Sequence, residues 1–321
     1  VEMIRATDPT RPVVADSCYI RSAHWRLRQS PEELGIDDGD IDDRHGYFNW
    51  YNESFFHLPS GEDGAGLADR PYIGQELSTG YYNTDSGHPV RAYLFAHQTP
   101  QSWVGQWAYE HQDPVIFMTR HAMLTKELAE YYRRERRRDW AGSLIFGLVT
   151  WFRDPWDAES MSPYPVITDG LRNAMAPVLV SARLTGRNWF AGQTVNIPVS
   201  VVNDAADGLT VAAGRLKWRL MEDGVVLANG REATPAVAYY SNEKVDVRLT
   251  VPDRVPAGRV DAELCLDLEV GGKILSSNRY AVRIGEKAWA VRPAKARKGK
   301  VLAYHASGDT RDLVRPLGLE A

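Results

Sequence analysis

The sequence has 321 residues, of which 44% are hydrophobic and 25% charged, and its formal net charge is −4. This length suits a soluble protein with two domains, since one domain usually holds roughly 100 to 200 residues. The negative charge argues against a nucleic-acid partner, because phosphate binding needs a concentrated basic surface. No stretch approaches the ~20 apolar residues of a membrane span, and the start lacks the layout of a signal peptide. We therefore expect no nucleic-acid and no membrane partner, while the oligomeric state and the compartment stay open.

The first residues, VEMIRATDPTRPVV, predict the end of a helix, a turn at Asp8-Pro9-Thr10 and an extended segment. Pro12 supports the extended segment, because the residue before a proline is disfavoured in the helical conformation. A domain whose sequence starts in the last turns of a helix is expected to lack its N-terminal part. We therefore expect this sequence to be a fragment.

The first half of the sequence alternates short apolar runs with a helical pattern. Four runs are typical of buried parallel strands: residues 11–17, 42–48, 70–76 and 142–152. Between the last two runs, a helix is predicted from about Pro114 to Arg138, with these apolar residues at helical spacing: Phe117, Ala122, Leu124, Leu128 and Tyr131. The alternation favours an α/β sheet or barrel over residues 1–174.

From Pro177 onward the pattern changes to two-residue alternation. Four segments place apolar side chains on one face and end at Asn, Asp or Gly: TVNIPVSVVND, GRLKWRLMEDG, EKVDVRLTVPD and GRVDAELCLDLEVGG. This pattern predicts an antiparallel, immunoglobulin-like β-sandwich over residues 178–286. Residues 287–300 are predicted as a linker and residues 301–321 as the start of a truncated α/β domain. The single Gly308 there falls short of a nucleotide-binding fingerprint, so no cofactor is predicted.

Two further features allow a structural or a functional interpretation. The run RRERRRD, residues 133–139, could form a basic patch, but cations at the C-terminal end of an amphipathic helix need no ligand, and we prefer that interpretation. Cys18 and Cys265 lie far apart in apolar, strand-like contexts. We expect two buried free thiols in preference to a disulfide.

Glu76 is the main candidate for a catalytic acidic residue in this sequence. It stands at the end of the apolar run PYIGQE, and a loop of Gly, Ser, Thr, Asn and Tyr follows. The chain also has 10 Trp and 15 Tyr, whose rings can stack on sugar faces, while amides and hydroxyls can bond sugar oxygens. We therefore expect a neutral carbohydrate ligand. The His residues never fall into metal-binding spacing, so no metal site is predicted, and no GxSxG elbow or phosphate loop occurs.

The order of these parts resembles the C-terminal half of a glycoside hydrolase family 2 enzyme, a family that includes β-galactosidases, β-glucuronidases and β-mannosidases. The resemblance covers residues 1 to about 286 and is carried by the following segments and the sandwich after them: DRHGYFNWYN, YIGQE and YYRRERRRDWAGSLIFGLVTWFRDPW. It implies that the four runs are the fifth to eighth strands of a (β/α)8 barrel, whose active site lies at the carboxyl ends of the strands. It also implies a retaining, exo-acting β-glycosidase of the β-galactosidase type.

The resemblance implies specific roles for a few residues. Retaining glycosidases use two carboxylates about 5 to 5.5 Å apart, one as nucleophile and one as acid/base. Glu76 would be the nucleophile, whereas the acid/base would belong to an Asn-Glu pair that precedes residue 1. His45 and Tyr47 would hydrogen-bond the nucleophile, and Trp151 would form the floor beneath the sugar. The sequence departs from the family where ELSTG, and not Glu-aromatic-Gly, stands at residues 76–80.

Ring and amide side chains in the polar loops are further candidate substrate contacts: Asn49, Trp50, Tyr51, Tyr81, Tyr82, Asn83, Trp103, Trp107 and Trp156. Structural alternatives stay open at three positions. Glu76 could be a strand-end acid bonded to backbone donors or to an Arg, His45 a core histidine, and Trp151 a core tryptophan. For the whole chain, the alternative is a non-catalytic carbohydrate-binding or scaffold protein with the same fold.

Overall fold

The structure is a computed structural model, and it describes residues 1–14, 39–46, 71–77, 110, 114–134, 140–145, 152–153, 159, 162–253 and 258–290. The chain begins with helix α1, Glu2–Thr7. The Asp8 carboxylate then accepts hydrogen bonds from the backbone N–H of Thr10 at 3.0 Å and from its hydroxyl at 2.6 Å. The helix end and the turn that the sequence predicts are therefore confirmed.

Three strands of the first half form a parallel sheet. They are β1 (Asp42–Gly46), β2 (Tyr72–Leu77) and β3 (Trp140–Ile145), in that order across the sheet. Val14 also forms a parallel bridge with Ile41, just before β1. Helix α2, Pro114–Arg134, lies between β2 and β3 in the chain and supplies the crossover that two parallel strands require. The predicted parallel arrangement is confirmed for these strands.

The run 142–152, predicted as one parallel strand, is described in two pieces. Residues 142–145 belong to β3, whereas Phe152 belongs to β4 (Phe152–Arg153), which pairs antiparallel with β5 (Ser162–Pro163). Residues 146–151 lie outside the described residues. The predicted parallel pairing is therefore confirmed for residues 142–145 and wrong for Phe152.

The described residues are mostly β-structure with few helices. They do not make up half of a (β/α)8 barrel, in which each strand is followed by a helix, because the part that is described contains one strand–helix–strand crossover. The described residues therefore do not confirm the half-barrel that the resemblance implies.

Helix α2 buries three of the five apolar residues that its spacing predicts to share one face. Ala122, Leu124 and Leu128 are all buried. Met118 and Ala122 pack against Tyr164 and Leu171, which lie at and within α3 (Pro165–Ala174). The helix pair therefore joins the parallel sheet to the second half of the chain.

Eight strands after α3 form two sheets that share one core. Their bounds are β6 (Val178–Ala182), β7 (Asn188–Phe190), β8 (Thr194–Asn203), β9 (Gly214–Glu222), β10 (Val225–Thr234), β11 (Ser241–Thr250), β12 (Arg259–Val270) and β13 (Lys273–Gly285). The sheet orders are β11-β8-β6 and β10-β9-β12-β13-β7. Val199 and Val247 from the first sheet and Leu220 and Leu264 from the second belong to one buried cluster. A 3₁₀ helix, Lys287–Ala290, follows.

Two-residue alternation explains why this half folds as a sandwich. Along β11, Val245, Val247 and Leu249 are buried, while Asp246 and Arg248 are exposed, because successive side chains of a strand point to opposite faces. The four segments predicted from alternation coincide with β8, β9, β11 and β12. The prediction of a sandwich is therefore confirmed, while its immunoglobulin-like character and the domain boundaries stay predictions.

One pair in the sandwich departs from the antiparallel prediction. Strand β7 pairs parallel with β13. The chain leaves β6 in the first sheet and enters the second sheet at β7, so no hairpin forces the two neighbours to run in opposite directions.

Cys265 is a buried free thiol, as the sequence predicts. Cys18 lies outside the described residues, as do residues 291–300 of the predicted linker and residues 301–321.

Candidate active site

The parallel sheet brings two predicted site residues next to each other. Glu76 is the penultimate residue of β2, and its partner in the register of β1 is His45, the penultimate residue of that strand. Neighbouring strands are about 4.8 Å apart, so the two backbone positions are adjacent. They lie at the carboxyl edge of the sheet, which is where α/β sheets bind their ligands.

Strand β2 holds one extra residue directly before its end. Residues 73–76 of β2 lie opposite residues 43–45 of β1. On the other side, residues 74–77 lie opposite residues 143–145 of β3. Strand β2 therefore has one more residue than each of its two neighbouring strands over this stretch. The stretch contains Gly74, and a glycine inside a strand often marks a bulge. Bulges are over-represented next to active sites, and this one lies directly before Glu76.

The other predicted site residues lie outside the described residues: Tyr47, Asn49, Trp50, Tyr51, Tyr81, Tyr82, Asn83, Trp103, Trp107, Trp151 and Trp156. Tyr47 follows directly after β1 in the sequence, and Trp151 stands directly before β4. The roles of these eleven residues stay predictions, as do those of Glu76 and His45.

A second polar site, which the sequence analysis missed, lies between α2 and the sandwich. We name it the Glu130 cluster, and it consists of Lys126, Glu130, Arg134, Ser181, Asn278 and Tyr280. Glu130 has no exposed surface. One carboxylate oxygen accepts hydrogen bonds from Lys126 Nζ at 2.5 Å and Asn278 Nδ2 at 2.8 Å. The other accepts from the hydroxyls of Ser181 at 2.5 Å and Tyr280 at 2.6 Å.

The other side chains of the cluster make further contacts with one another and with the backbone. Arg134 donates to the Ser181 hydroxyl at 2.6 Å and lies 3.5 Å from the Glu130 carboxylate. The Tyr280 hydroxyl accepts the backbone N–H of Ala182 at 2.9 Å, and Lys126 Nζ stands 3.8 Å from the centre of the Tyr280 ring. Beside the cluster, Glu127 forms an ion pair with Arg187.

Neighbouring positive charges and burial shift the pKa values of Glu130 and Glu127 in opposite directions. Burial raises the pKa of the Glu130 carboxyl, but the charges of Lys126 and Arg134 and the hydrogen bonds from Lys126 and Ser181 outweigh it and lower that pKa to about 2. Burial raises the pKa of Glu127, and the charge of Arg187 opposes that rise. Burial and the charge of Glu130 raise the pKa of Tyr280 well above its usual value. At neutral pH, Glu130 is therefore ionised and Tyr280 is neutral.

The Glu130 cluster is a poor candidate for acid–base chemistry. The carboxylate is fully buried, and both of its oxygens are occupied by protein donors. A substrate has no access to such a group, so the cluster is structural. A sequence signal did exist, because Lys126, Glu130 and Arg134 are spaced four residues apart on a helix and can therefore pair.

The basic end of α2 binds the protein itself. Arg133 forms an ion pair with Asp204 at 2.9 Å and donates to the backbone carbonyl of Ala174 at 2.5 Å. Arg134 is buried. The preferred interpretation, that this end needs no ligand, holds for these two residues, whose partners lie around the helix pair and the sandwich. The rest of the run, residues 135–139, lies outside the described residues.

Two other kinds of site were sought in the described part of the chain. None of its helices is both long enough and apolar enough to cross a bilayer. Among the same residues, no three His, Cys, Asp or Glu side chains are grouped so that they could hold a metal ion.

Comparisons with known proteins give weak structural likenesses. No protein-family model matches the sequence, and no curated protein matches it. A β-D-mannosidase from Dictyoglomus thermophilum aligns with a TM-score of 0.43 at 12% identity, over 74% of this chain and 30% of the mannosidase. A β-glucuronidase from glycoside hydrolase family 2 aligns with a TM-score of 0.25 at 11% identity, over 34% of this chain and 11% of that enzyme.

Proteins that are not glycosidases align at a similar level. The sporulation control protein Spo0M from Bacillus subtilis gives a TM-score of 0.25 at 16% identity, over 36% of this chain and 52% of Spo0M. The chain spans less than a third of the length of each of the two glycosidases. Its structural neighbours include glycoside hydrolases, but likenesses of this size assign neither a family nor an activity.

Proposed function

We propose that this chain carries the nucleophile of a retaining, exo-acting β-glycosidase, and that Glu76 is that nucleophile. The observation that carries the proposal is the bulge in β2 directly before Glu76, at the carboxyl edge of a parallel sheet and in register with His45. The sequence resemblance to glycoside hydrolase family 2 supports the choice of reaction. The proposal requires only that the carboxyl ends of the strands meet at one edge, and it does not depend on a complete half of a (β/α)8 barrel.

The proposed reaction is a double displacement. The Glu76 carboxylate attacks the anomeric carbon, the glycosidic C–O bond breaks, and the leaving oxygen takes a proton from the acid/base. The covalent glycosyl ester is then attacked by water, whose proton goes to the acid/base, and the sugar leaves with its configuration retained. In this proposal, the acid/base is a residue that lies outside this chain. We therefore expect the chain alone to be inactive on ordinary glycosides.

The other predicted residues support the nucleophile in this proposal. His45, adjacent to Glu76 in the register, and Tyr47 hold the carboxylate by hydrogen bonds. Trp151 stacks beneath the sugar ring, where an aromatic face suits the C–H face of a pyranose. Loop residues recognise the sugar hydroxyls: Asn49, Tyr51, Tyr81 and Trp103.

An activated substrate tests the proposal in the chain itself. Dinitrophenolate leaves without a proton, so a 2,4-dinitrophenyl β-glycoside needs a nucleophile but no acid for the first step. With a panel of β-galactosides, β-glucosides, β-mannosides and β-glucuronides, we expect at least one substrate to release about one dinitrophenolate per chain and then stall. Azide, which needs no base, should restore turnover and yield a β-glycosyl azide.

A matched pair of variants completes the test. Glu76→Gln should abolish the burst, whereas Glu243→Gln, at an exposed position of β11, should keep it. A burst that survives Glu76→Gln would refute the nucleophile assignment. If no glycoside gives a burst while sugars still bind to the chain, the alternative of a non-catalytic carbohydrate-binding protein is correct.

A further inference from the structure

We infer that Glu130 is a positioning residue, whose buried charge ties the crossover helix α2 to the sandwich and thereby fixes β3 beside β2. The inference rests on the proposed function in one respect only, namely that the edge of this sheet is the active site. The sandwich would then be a structural part of the catalytic unit.

The contacts of Glu130 join elements that are far apart in the sequence. Its carboxylate is bonded to Ser181 in β6 and to Asn278 and Tyr280 in β13. Asn278 also donates to the backbone carbonyl of Val180 at 2.8 Å, and so links β13 to β6. One side chain of α2 therefore contacts both sheets of the sandwich.

These contacts fix a position in a way that apolar packing does not. Hydrogen bonds to a carboxylate are short and directional, and a helix that slid along the sandwich would leave a buried charge without partners. Such an unpaired charge is strongly unfavourable in the protein interior. The cluster therefore permits one position of α2 on the sandwich.

The sandwich also binds the last residue of α2. Asn242, at the start of β11, donates its side-chain amide to the backbone carbonyl of Arg134 at 2.8 Å. Arg134 is the last residue of α2, and the last carbonyls of a helix have no partner inside the helix. Strand β3 begins a few residues later and pairs with β2. A shift of the helix end would thus be transmitted to β3 and to the edge that carries Glu76.

Hydrogen–deuterium exchange of the full chain tests this inference without any activity. In Glu130→Gln, we expect exchange in the C-terminal half of α2 and in β3 to rise at least about tenfold, because local opening there loses a buried ion pair. Exchange in β12, at the centre of the five-stranded sheet, should stay unchanged. Glu243→Gln is the matched control and should leave all of these regions unchanged.

A second readout separates positioning from simple stability. The rate at which a 2-deoxy-2-fluoro glycosyl fluoride labels Glu76 should fall in Glu130→Gln under conditions where β12 stays protected. If Glu76 is not labelled in the unmodified chain, the proposed function fails, but the exchange result still decides the positioning role.

Two results would overturn the inference: unchanged exchange in β3, or an equal rise of exchange in β3 and β12, which would indicate global loosening. Should Glu130→Gln fail to fold, Asn242→Ala removes only the bond to the helix end. It should then give the same pattern with a smaller rise, and unchanged exchange in β3 would again contradict the inference.

Discussion

Replacing Tyr280 by Phe removes one oxygen atom from the centre of the Glu130 cluster and leaves the aromatic packing in place. The hydroxyl donates to Glu130 at 2.6 Å, and it accepts the side-chain amide of Asn278 at 2.8 Å and the backbone N–H of Ala182 at 2.9 Å. After the substitution, that N–H loses its bond while buried. Glu130 loses the bond from Tyr280, but the same carboxylate oxygen still accepts a hydrogen bond from the Ser181 hydroxyl.

The expected loss of stability follows from the bonds to Glu130 and Ala182, because the Asn278 amide keeps its bonds to Glu130 and to the backbone carbonyl of Val180. A buried polar group left without a partner costs about 1–3 kcal/mol, and a hydrogen bond to a charged group contributes about 1.5–3 kcal/mol. Because the two effects share one hydroxyl and do not add fully, we expect the free energy of unfolding to fall by about 2–4 kcal/mol. For a chain of this size, that change lowers Tm by roughly 3–6 °C.

Urea unfolding with two optical probes measures this change, and an unchanged m-value would show that the unfolded state is the same. Tyr239→Phe is the matched control, since that ring is 49% exposed, and it should change the free energy of unfolding by less than about 0.5 kcal/mol. If Tyr280→Phe stays within the range of this control, the hydroxyl does not stabilise the cluster and the reasoning is wrong.

Three further predictions follow from other described residues. In Gly230→Ala, the new Cβ would lie closer than 3.0 Å to the Trp218 ring, so the free energy of unfolding measured in urea should fall by about 1–3 kcal/mol. Gly186→Ala is the control, because its Cβ meets no described atom within 4 Å. It should change the free energy of unfolding by less than about 0.5 kcal/mol, and an equal effect of the two substitutions would contradict the prediction. The stability difference between the unmodified chain and Glu130→Gln should shrink as the pH falls from 4.5 towards about 2, because a carboxylate with a lowered pKa stabilises the fold only while it is ionised; a difference that is constant with pH would contradict this. Burial raises the pKa of the Cys265 thiol, so alkylation at pH 8, mapped by mass spectrometry, should be at least about tenfold slower in the folded chain than in urea, and equal rates would contradict its burial.

The sandwich is the part of the fold that the sequence predicts best. In β11 and β12, the alternation is local, and each segment ends at Asp or Gly. The β9–β10 hairpin turns at Asp223 and Gly224, where both φ angles are positive, at 45° and 83°. These are the conformations that a two-residue hairpin requires and that the pair Asp-Gly supplies.

The Glu130 cluster could not be predicted in the same way. Local spacing shows that Lys126, Glu130 and Arg134 share one side of α2, but an exposed row of ion pairs would have the same spacing. The groups that make burial possible, Ser181 and Tyr280, lie far along the chain. A pattern within one segment carries no information about such distant partners.

The candidate site lies between these two cases. Strand-end position and resemblance select Glu76 from the sequence, and the register adds its neighbour His45. The bulge in β2 depends on how three strands align, and no single strand reveals it.

Covalent labelling is the most direct test of the claim that Glu76 is a nucleophile. A 2-deoxy-2-fluoro β-glycosyl fluoride has a leaving group that needs no acid, and its fluorine slows hydrolysis of the glycosyl ester. After incubation of the chain with fluorides of the four sugars, digestion and mass spectrometry should find one sugar on Glu76, in the peptide that contains YIGQELSTGYY. A sugar on Asp43, Glu53 or Glu62, or no adduct with any of the four, would contradict the assignment.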